Sequence, residues 1–176
     1  MRPTGWRAGF AGLAVLAASA CAGEAARRES AAPSAYSAIA MQTASWGKPV
    51  SEWRIDRTGT GTYSSARDVP GGGFRDYDVV TRRFLAGPDA FRRIEALLAP
   101  AERGYECTHQ VTDGLYGDVR WERAGAQPLR RNFNYGCLSA DAERAYSGMW
   151  QAGELVEAWA QAGELVGTQQ VREPRP

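Results

Sequence analysis

The chain has 176 residues, 44% apolar and 23% charged, enough for one domain with its own core and too few for two. Its 21 basic residues almost balance 20 acidic ones, and without Arg2 and Arg7 the net charge is about −1. A nucleic-acid binder needs a basic excess to displace counterions from phosphates, so this balance argues against such a partner.

The first segment, MRPTGWR followed by AGFAGLAVLAASA, is a short basic region and then an apolar run ending in small residues. That is the pattern of a secretory signal over 1–20, and the run is shorter than the roughly 20 residues needed to span a bilayer. Ala18-Ser19-Ala20 ahead of Cys21 resembles the lipobox of bacterial lipoprotein precursors, with Ala18 standing where leucine is usual. The resemblance covers the first 21 residues. It implies that Cys21 is lipidated and becomes the new N-terminus, anchoring the chain to a membrane of the cell envelope. An ordinary signal-peptidase cut after Ala20 would give a secreted or soluble periplasmic protein instead. Residues 21–38 are small and polar, lack helix caps and strand alternation, and read as a flexible tether.

A single domain is predicted over 39–166. Ile39, Met41 and Thr43 alternate as a short strand, and Trp46-Gly47-Lys48-Pro49 is turn chemistry. In SEWRIDR, Trp53 and Ile55 face one way and Glu52, Arg54 and Asp56 the other, which predicts a half-buried strand. Thr58-Gly59-Thr60-Gly61 turns the chain into GTYSS as a hairpin. Neither this GxG nor Pro70-Gly71-Gly72-Gly73 has the glycine, lysine or helix of a phosphate cradle, so both are turns. The run from Asp76 through Leu85 supplies the third strand of this half. Gly87-Pro88-Asp89 starts a helix with apolar positions Ala90, Phe91, Ile94, Leu97 and Leu98, ended by Pro100.

The second half repeats the order. An extended piece begins at Cys107, YGDVRWER points Val119 and Trp121 inward, and Ala124–Pro128 turns into a partner strand with Leu129, Phe133, Tyr135 and Cys137 on one face, interrupted by Arg131. Ser139 opens the longest helix, whose stripe is Ala142, Ala145, Met149, Ala152, Val156 and Trp159. The hexapeptide QAGELV occurs at 151–156 and 161–166. Ten residues turn a helix by about 1000°, so the copies face different ways and read as incidental helix sequence. Residues 167–176 read as a loose tail. The fold class expected is α+β: a mainly antiparallel sheet with two helices on one face, in the order strand-strand-strand-helix twice.

In an oxidising compartment Cys107 and Cys137 pair, while lipidation accounts for Cys21. A simple meander would separate the two cysteines by two strand spacings, about 9.5 Å, beyond the roughly 7 Å between α-carbons that a disulfide spans. Either the Cys107 piece pairs beside the Cys137 strand, the arrangement favoured, or it crosses that strand's end as a loop. The bridge removes the thiolate that His109 would need as a nucleophile partner, and no GxSxG elbow is present. No catalytic residue, metal or cofactor is therefore assigned. Trp53, Trp121, Tyr135 and Tyr63 lie on strands, where alternation with charged neighbours marks core residues of a one-sided sheet; as an exposed row they are the candidates for a binding platform, with His109 and Asp113 nearby in sequence.

These features predict an exported envelope lipoprotein of non-enzymatic kind, a module that binds an envelope protein or serves a structural role. The alternatives are a small hydrolase of an envelope polymer, with a pair among Asp56, Asp76, Asp78, Glu106, Asp113 and Asp118, or an inhibitor of a secreted hydrolase with protruding loops at 71–75 or 113–116.

Overall fold

The computed structural model describes residues 34–107, 109–111 and 113–172. The leader, Cys21 and the tether as far as residue 33 lie outside the described residues. Four strands come first: β1 (Ala38–Ser45), β2 (Lys48–Asp56), β3 (Thr60–Asp68) and β4 (Tyr77–Leu85), and helix α1 (Pro88–Arg103) follows them. Then come β5 (Tyr116–Arg123), β6 (Ala126–Asn134), helix α2 (Ala140–Gln161) and β7 (Glu164–Val171). All seven strands join one antiparallel sheet in the order β6-β5-β1-β2-β3-β4-β7. The α+β class, the disulfide and the two helices thus match the expectation, whereas the two equal halves do not. A four-strand meander is built first, and β5, β6 and β7 extend it at both edges.

The strand alternation read from the sequence sets which face the helices cover. Leu129, Trp121, Ile39, Ile55, Gly61 and Phe84 lie in register across β6, β5, β1, β2, β3 and β4. Phe91, Ile94 and Leu98 of α1, with Met149, Ala152 and Val156 of α2, close over this row. Two glycines permit the close packing. A Cβ on Gly61 would strike the Phe84 ring at 2.3 Å, and one on Gly148 would strike the Leu97 carbonyl at 2.0 Å, where α2 approaches α1. Burying each large apolar side chain contributes about 1.5–3 kcal/mol, against about 0.2–1 kcal/mol for an exposed ion pair. The core decides stability.

Two arginines share the apolar face at its edges. Arg131 on β6 donates to the Glu102 carbonyl at 3.0 Å, and Arg82 on β4 donates to the Gly163 carbonyl at 3.2 Å. The first satisfies a backbone oxygen that the end of α1 leaves unpaired, and the second ties the turn between α2 and β7 to β4. On the other face Arg54 pairs with Glu122, Arg120 with Glu52, and Arg130 with Asp118. Their long side chains flank β1, whose Ala38 and Ala40 are buried on this helix-free face.

Several expectations change. The tether does not run to 38, because Tyr36 is buried and bonds to Glu102 and Arg123, while Ser34 donates to Glu95 at 2.6 Å. Helix α1 continues through Pro100 to Arg103, with Ala101 buried beyond the proline, so packing of that last turn outweighs the bond proline removes. Cys107 lies in the connection between α1 and β5 and belongs to no strand. It passes the end of β6 with one bridge, Gln110 to Cys137, so the crossing-loop alternative holds. Residues 167–171 are not loose, since β7 pairs with β4 from Tyr77–Val171 to Arg83–Glu164.

The second QAGELV copy therefore leaves the helix while the first stays inside it. Gly153 of the first has open space around it, whereas a Cβ on Gly163 of the second would sit 2.1 Å from the Arg83 carbonyl. Identical sequence takes two structures because β4 offers the second copy a strand to join. Gly153→Ala should stabilise the fold by about 0.5–1 kcal/mol, the helix-interior preference for alanine. Gly163→Ala should destabilise it by about 1–3 kcal/mol, the cost of overpacking. Urea denaturation of the two variants reads both signs.

Candidate functional site

The sheet has two ends. Chain entry at Ser34, the β2–β3 turn and the β5–β6 turn lie at one. The other, here the turn end, gathers the β1–β2 turn, the β3–β4 loop, the start of β5, the end of β6 and the end of β7.

Trp53 and Trp121 are 2% and 0% exposed: the core reading of their alternation holds, both lie on the helix-covered face, and the alternative of an exposed platform does not. Tyr135 is half-buried and packs against Phe133 and Tyr146, with ring centroids 5.3 and 4.8 Å away. His109 and Asp113 are exposed in the α1–β5 connection, and neither lines the three larger hollows. The disulfide joins Cys107 to Cys137 with α-carbons 5.5 Å apart.

Four of the six candidate carboxylates hold structural partners. Asp56 accepts from the Thr58 amide at 2.9 Å and the Thr58 hydroxyl at 2.6 Å. Burial alone would raise this carboxyl, but these bonds, with the Thr60 amide and nearby Arg54, hold it below its usual range. Asp76 accepts from the Gly73 amide in the β3–β4 loop, and Asp78 pairs with Arg172 at 2.6 Å. Asp118 is 1% exposed and accepts from Arg130 at 2.9 Å. In register, Glu52 and Asp118 flank Gln42 on the helix-free face, and Arg120 approaches both at 3.4 Å. An arginine occupies the space a scissile bond would need. Glu106 and Asp113 are exposed in the connection before β5.

The turn end has features of a different kind. Trp46 and Gly47 form the two-residue β1–β2 turn with φ of 51° and 79°. Such a turn favours Asn-Gly, since a left-handed backbone crowds the Cβ of any larger residue. Trp46 is nevertheless there, 71% exposed. Phe74 of the β3–β4 loop is exposed beside it; Tyr116, Val111 and Leu138 are exposed near the end of β6, and Val50 and Trp150 at a groove below α2. Tyr116 accepts from the Gly47 amide at 2.9 Å, which ties β5 to the tip. Lys48, the sole lysine, pairs with Asp68 and lies 5.5 and 5.2 Å from the Phe74 and Tyr77 ring centroids.

Three hollows open at this end. A cleft of about 760 Å³ runs between Gln42, Tyr116, Arg130 and Asn132, and a second of about 420 Å³ lies among Trp46, Lys48, Phe74 and Tyr77. The third, about 210 Å³, is a groove between α2 and the sheet, walled by Met41, Trp53, Tyr63, Tyr135 and Trp150. It exists because the third register row is small: Thr43, Ser51 and Ser65 follow Met41, Trp53 and Tyr63. The helix therefore stands over a gap there.

The sequence reading missed Trp46 and Trp150, and covered Phe74 only as part of the loop 71–75. Their shared signal is a large apolar side chain where pattern assigns solvent: a turn tip, a glycine-rich loop, and a helix position beside the Met149 stripe. No family, no curated protein and no solved structure matches the chain.

Two measurements check the local physics. Burial, and then the nearby Glu157 carboxylate, push Tyr63 up to about 12; burial and Tyr146 push Tyr135 up to about 12. The folded state thus keeps protons that an unfolded chain releases near 10.0. Their stabilising contribution is complete below pH 10 and is lost as pH rises towards 12. Denaturation across that window should show the decline, and Tyr63→Phe with Tyr135→Phe should reduce it, the remainder coming from Tyr105 and Tyr36, which burial also raises. Replacing both Cys107 and Cys137 by serine, which opens a separation of 30 residues, should lower unfolding free energy by roughly 3.5 kcal/mol on the chain-entropy account.

Proposed function

We propose that this chain is an exported envelope lipoprotein, held to a membrane through a lipid on Cys21, whose α+β domain binds a protein partner with the turn end of its sheet. One observation carries the reading. Of ten exposed large apolar side chains among the described residues, seven gather at that end: Trp46, Val50, Phe74, Val111, Tyr116, Leu138 and Trp150. Clustered apolar exposure of this kind marks an interaction surface, whereas single exposed residues need no explanation. Trp46 adds to it, since a strained backbone beneath an exposed aromatic is tolerated where the side chain has work elsewhere.

The position of chain entry supports the same reading. Ser34 leads into the start of β1, and the turn end lies beyond its far terminus, about 26 Å along the strand. Chain entry and the apolar surface thus stand at opposite ends of the domain.

Inhibition of a secreted hydrolase is a second reading, favoured by the placement of loops 71–75 and 113–116 at this same end beside Trp46. A hydrolase acting through paired carboxylates draws little support from acids engaged by arginines and backbone amides.

Photocrosslinkers placed at Trp46 and Phe74 in the native envelope should capture one protein, while crosslinkers at Thr58 and Ala124 should not. Equal capture from both ends, or none from the turn end, would sink the proposal. A captured hydrolase that loses activity on titration with the domain would select the inhibitor reading. Trp46→Asn should stabilise the fold by about 1 kcal/mol, relieving the left-handed strain, while weakening the capture from Phe74.

A further inference from the structure

The groove between α2 and the sheet has walls and a mouth that differ in chemistry. Met41, Trp53, Tyr63, Tyr135 and Trp150 make it apolar and aromatic within. Glu154 and Glu157 stand at its opening, three residues apart and so neighbours on one face of α2. Gly153 between them and Trp150 carries no side chain to fill the space.

We propose that this groove receives one basic side chain, arginine or lysine, projecting from a protein partner; the proposal rests on the reading of the turn end as a protein-binding surface. Size is the first argument. A volume of about 210 Å³ falls below the roughly 300–1,000 Å³ of small-molecule sites and suits a single long side chain.

Charge is the second. Asp68, Asp78, Asp89, Asp118, Glu122 and Asp141 each pair with lysine or arginine; Glu154 and Glu157, like Glu95, Glu102, Glu106 and Glu143, form no ion pair among the described residues, and of these Glu154 and Glu157 line the groove. Arg67 and Arg82 line a neighbouring hollow with Glu157, yet neither forms an ion pair with it. Glu154 accepts from the Trp150 indole N–H through one oxygen, Oε1, at 2.9 Å. Glu157 lies near the Tyr63 hydroxyl, whose pKa burial and then this carboxylate raise. Both carboxylates keep acceptor capacity facing an aromatic groove that lacks a cation.

An apolar stem lying on rings, with its charged head between carboxylates and over aromatic faces, satisfies both parts of this surface together. A purely apolar side chain would fill the walls and desolvate two unpaired charges at the mouth, which disfavours it.

The test is an NMR titration of the full chain with blocked arginine, N-acetyl-arginine amide, against blocked norleucine of similar length, following tryptophan indole signals. Blocked arginine should shift the Trp150 and Trp53 signals saturably, with a dissociation constant on the order of millimolar. Glu154→Gln with Glu157→Gln should weaken that response about tenfold, and norleucine should bind at least about tenfold more weakly than arginine. Equal response to norleucine, no response to arginine, or an unchanged response in the double variant would each overturn the assignment. The wild-type comparison stands without any variant, and both glutamates are exposed, so folding of the double variant is checked by its amide spectrum. Crosslinking from Trp46 separates the two levels of the argument. Capture that persists while arginine fails to bind removes the groove assignment alone, and loss of capture removes the surface reading beneath it.

Discussion

The structure depends on the register of β1 between two partners. Ile39 lies opposite Ile55 on β2 and opposite Trp121 on β5, so one buried residue aligns three strands under both helices. A slip of β1 by one residue would set Ile39 opposite Arg54 and Arg120 and turn it out to the helix-free face. The burial of these side chains outweighs any surface ion pair. Because β1 is central, that register also fixes where the β1–β2 turn ends and where Tyr116 reaches it.

From this constraint the two faces acquire different chemistry. The covered face is apolar except where Arg131 and Arg82 reach carbonyls at the helix ends. The other face alternates arginines and acids flanking two buried alanines, and most of its acids are engaged by those arginines. Charge is abundant but matched. Unmatched features collect elsewhere: exposed aromatics at the turn end, and two glutamates without arginine partners at the mouth of the α2 groove. Functional surfaces are drawn from such exceptions, since whatever is matched within the fold is already committed to stability.

The small register row gives these exceptions depth. Thr43, Ser51 and Ser65 continue a stripe whose previous members are Met41, Trp53 and Tyr63. With less volume on the sheet, α2 cannot close against it at that end, and Trp150 and Gly153 border a gap. A tapering core thus makes a groove beside an exposed apolar surface, on the side remote from chain entry. Cys107–Cys137 holds the neighbouring loop to the end of β6 and steadies the rim.

Much of the fold was legible in residue patterns. Alternation in SEWRIDR and YGDVRWER placed Trp53 and Trp121 inward, Ser139 marked the start of α2, and two domain thiols behind a leader-like N-terminal pattern indicated the disulfide. These are local signals, because period, caps and turn residues act within a few positions. The candidate site was less legible: of the named binding residues Tyr135, Tyr63 and Trp53 border the groove, Phe74 was covered only as part of the loop 71–75, and Trp46 and Trp150 were hidden as ordinary turn and helix positions. What the sequence by itself determined was the class of structure, the inward faces of the strands and the covalent bridge. Only tertiary structure decided that one QAGELV copy is helix and the other leads into a strand, and that seven apolar residues distant in sequence share one end. Each depends on which neighbour a segment meets, and that is set by long-range register and packing that local pattern does not encode.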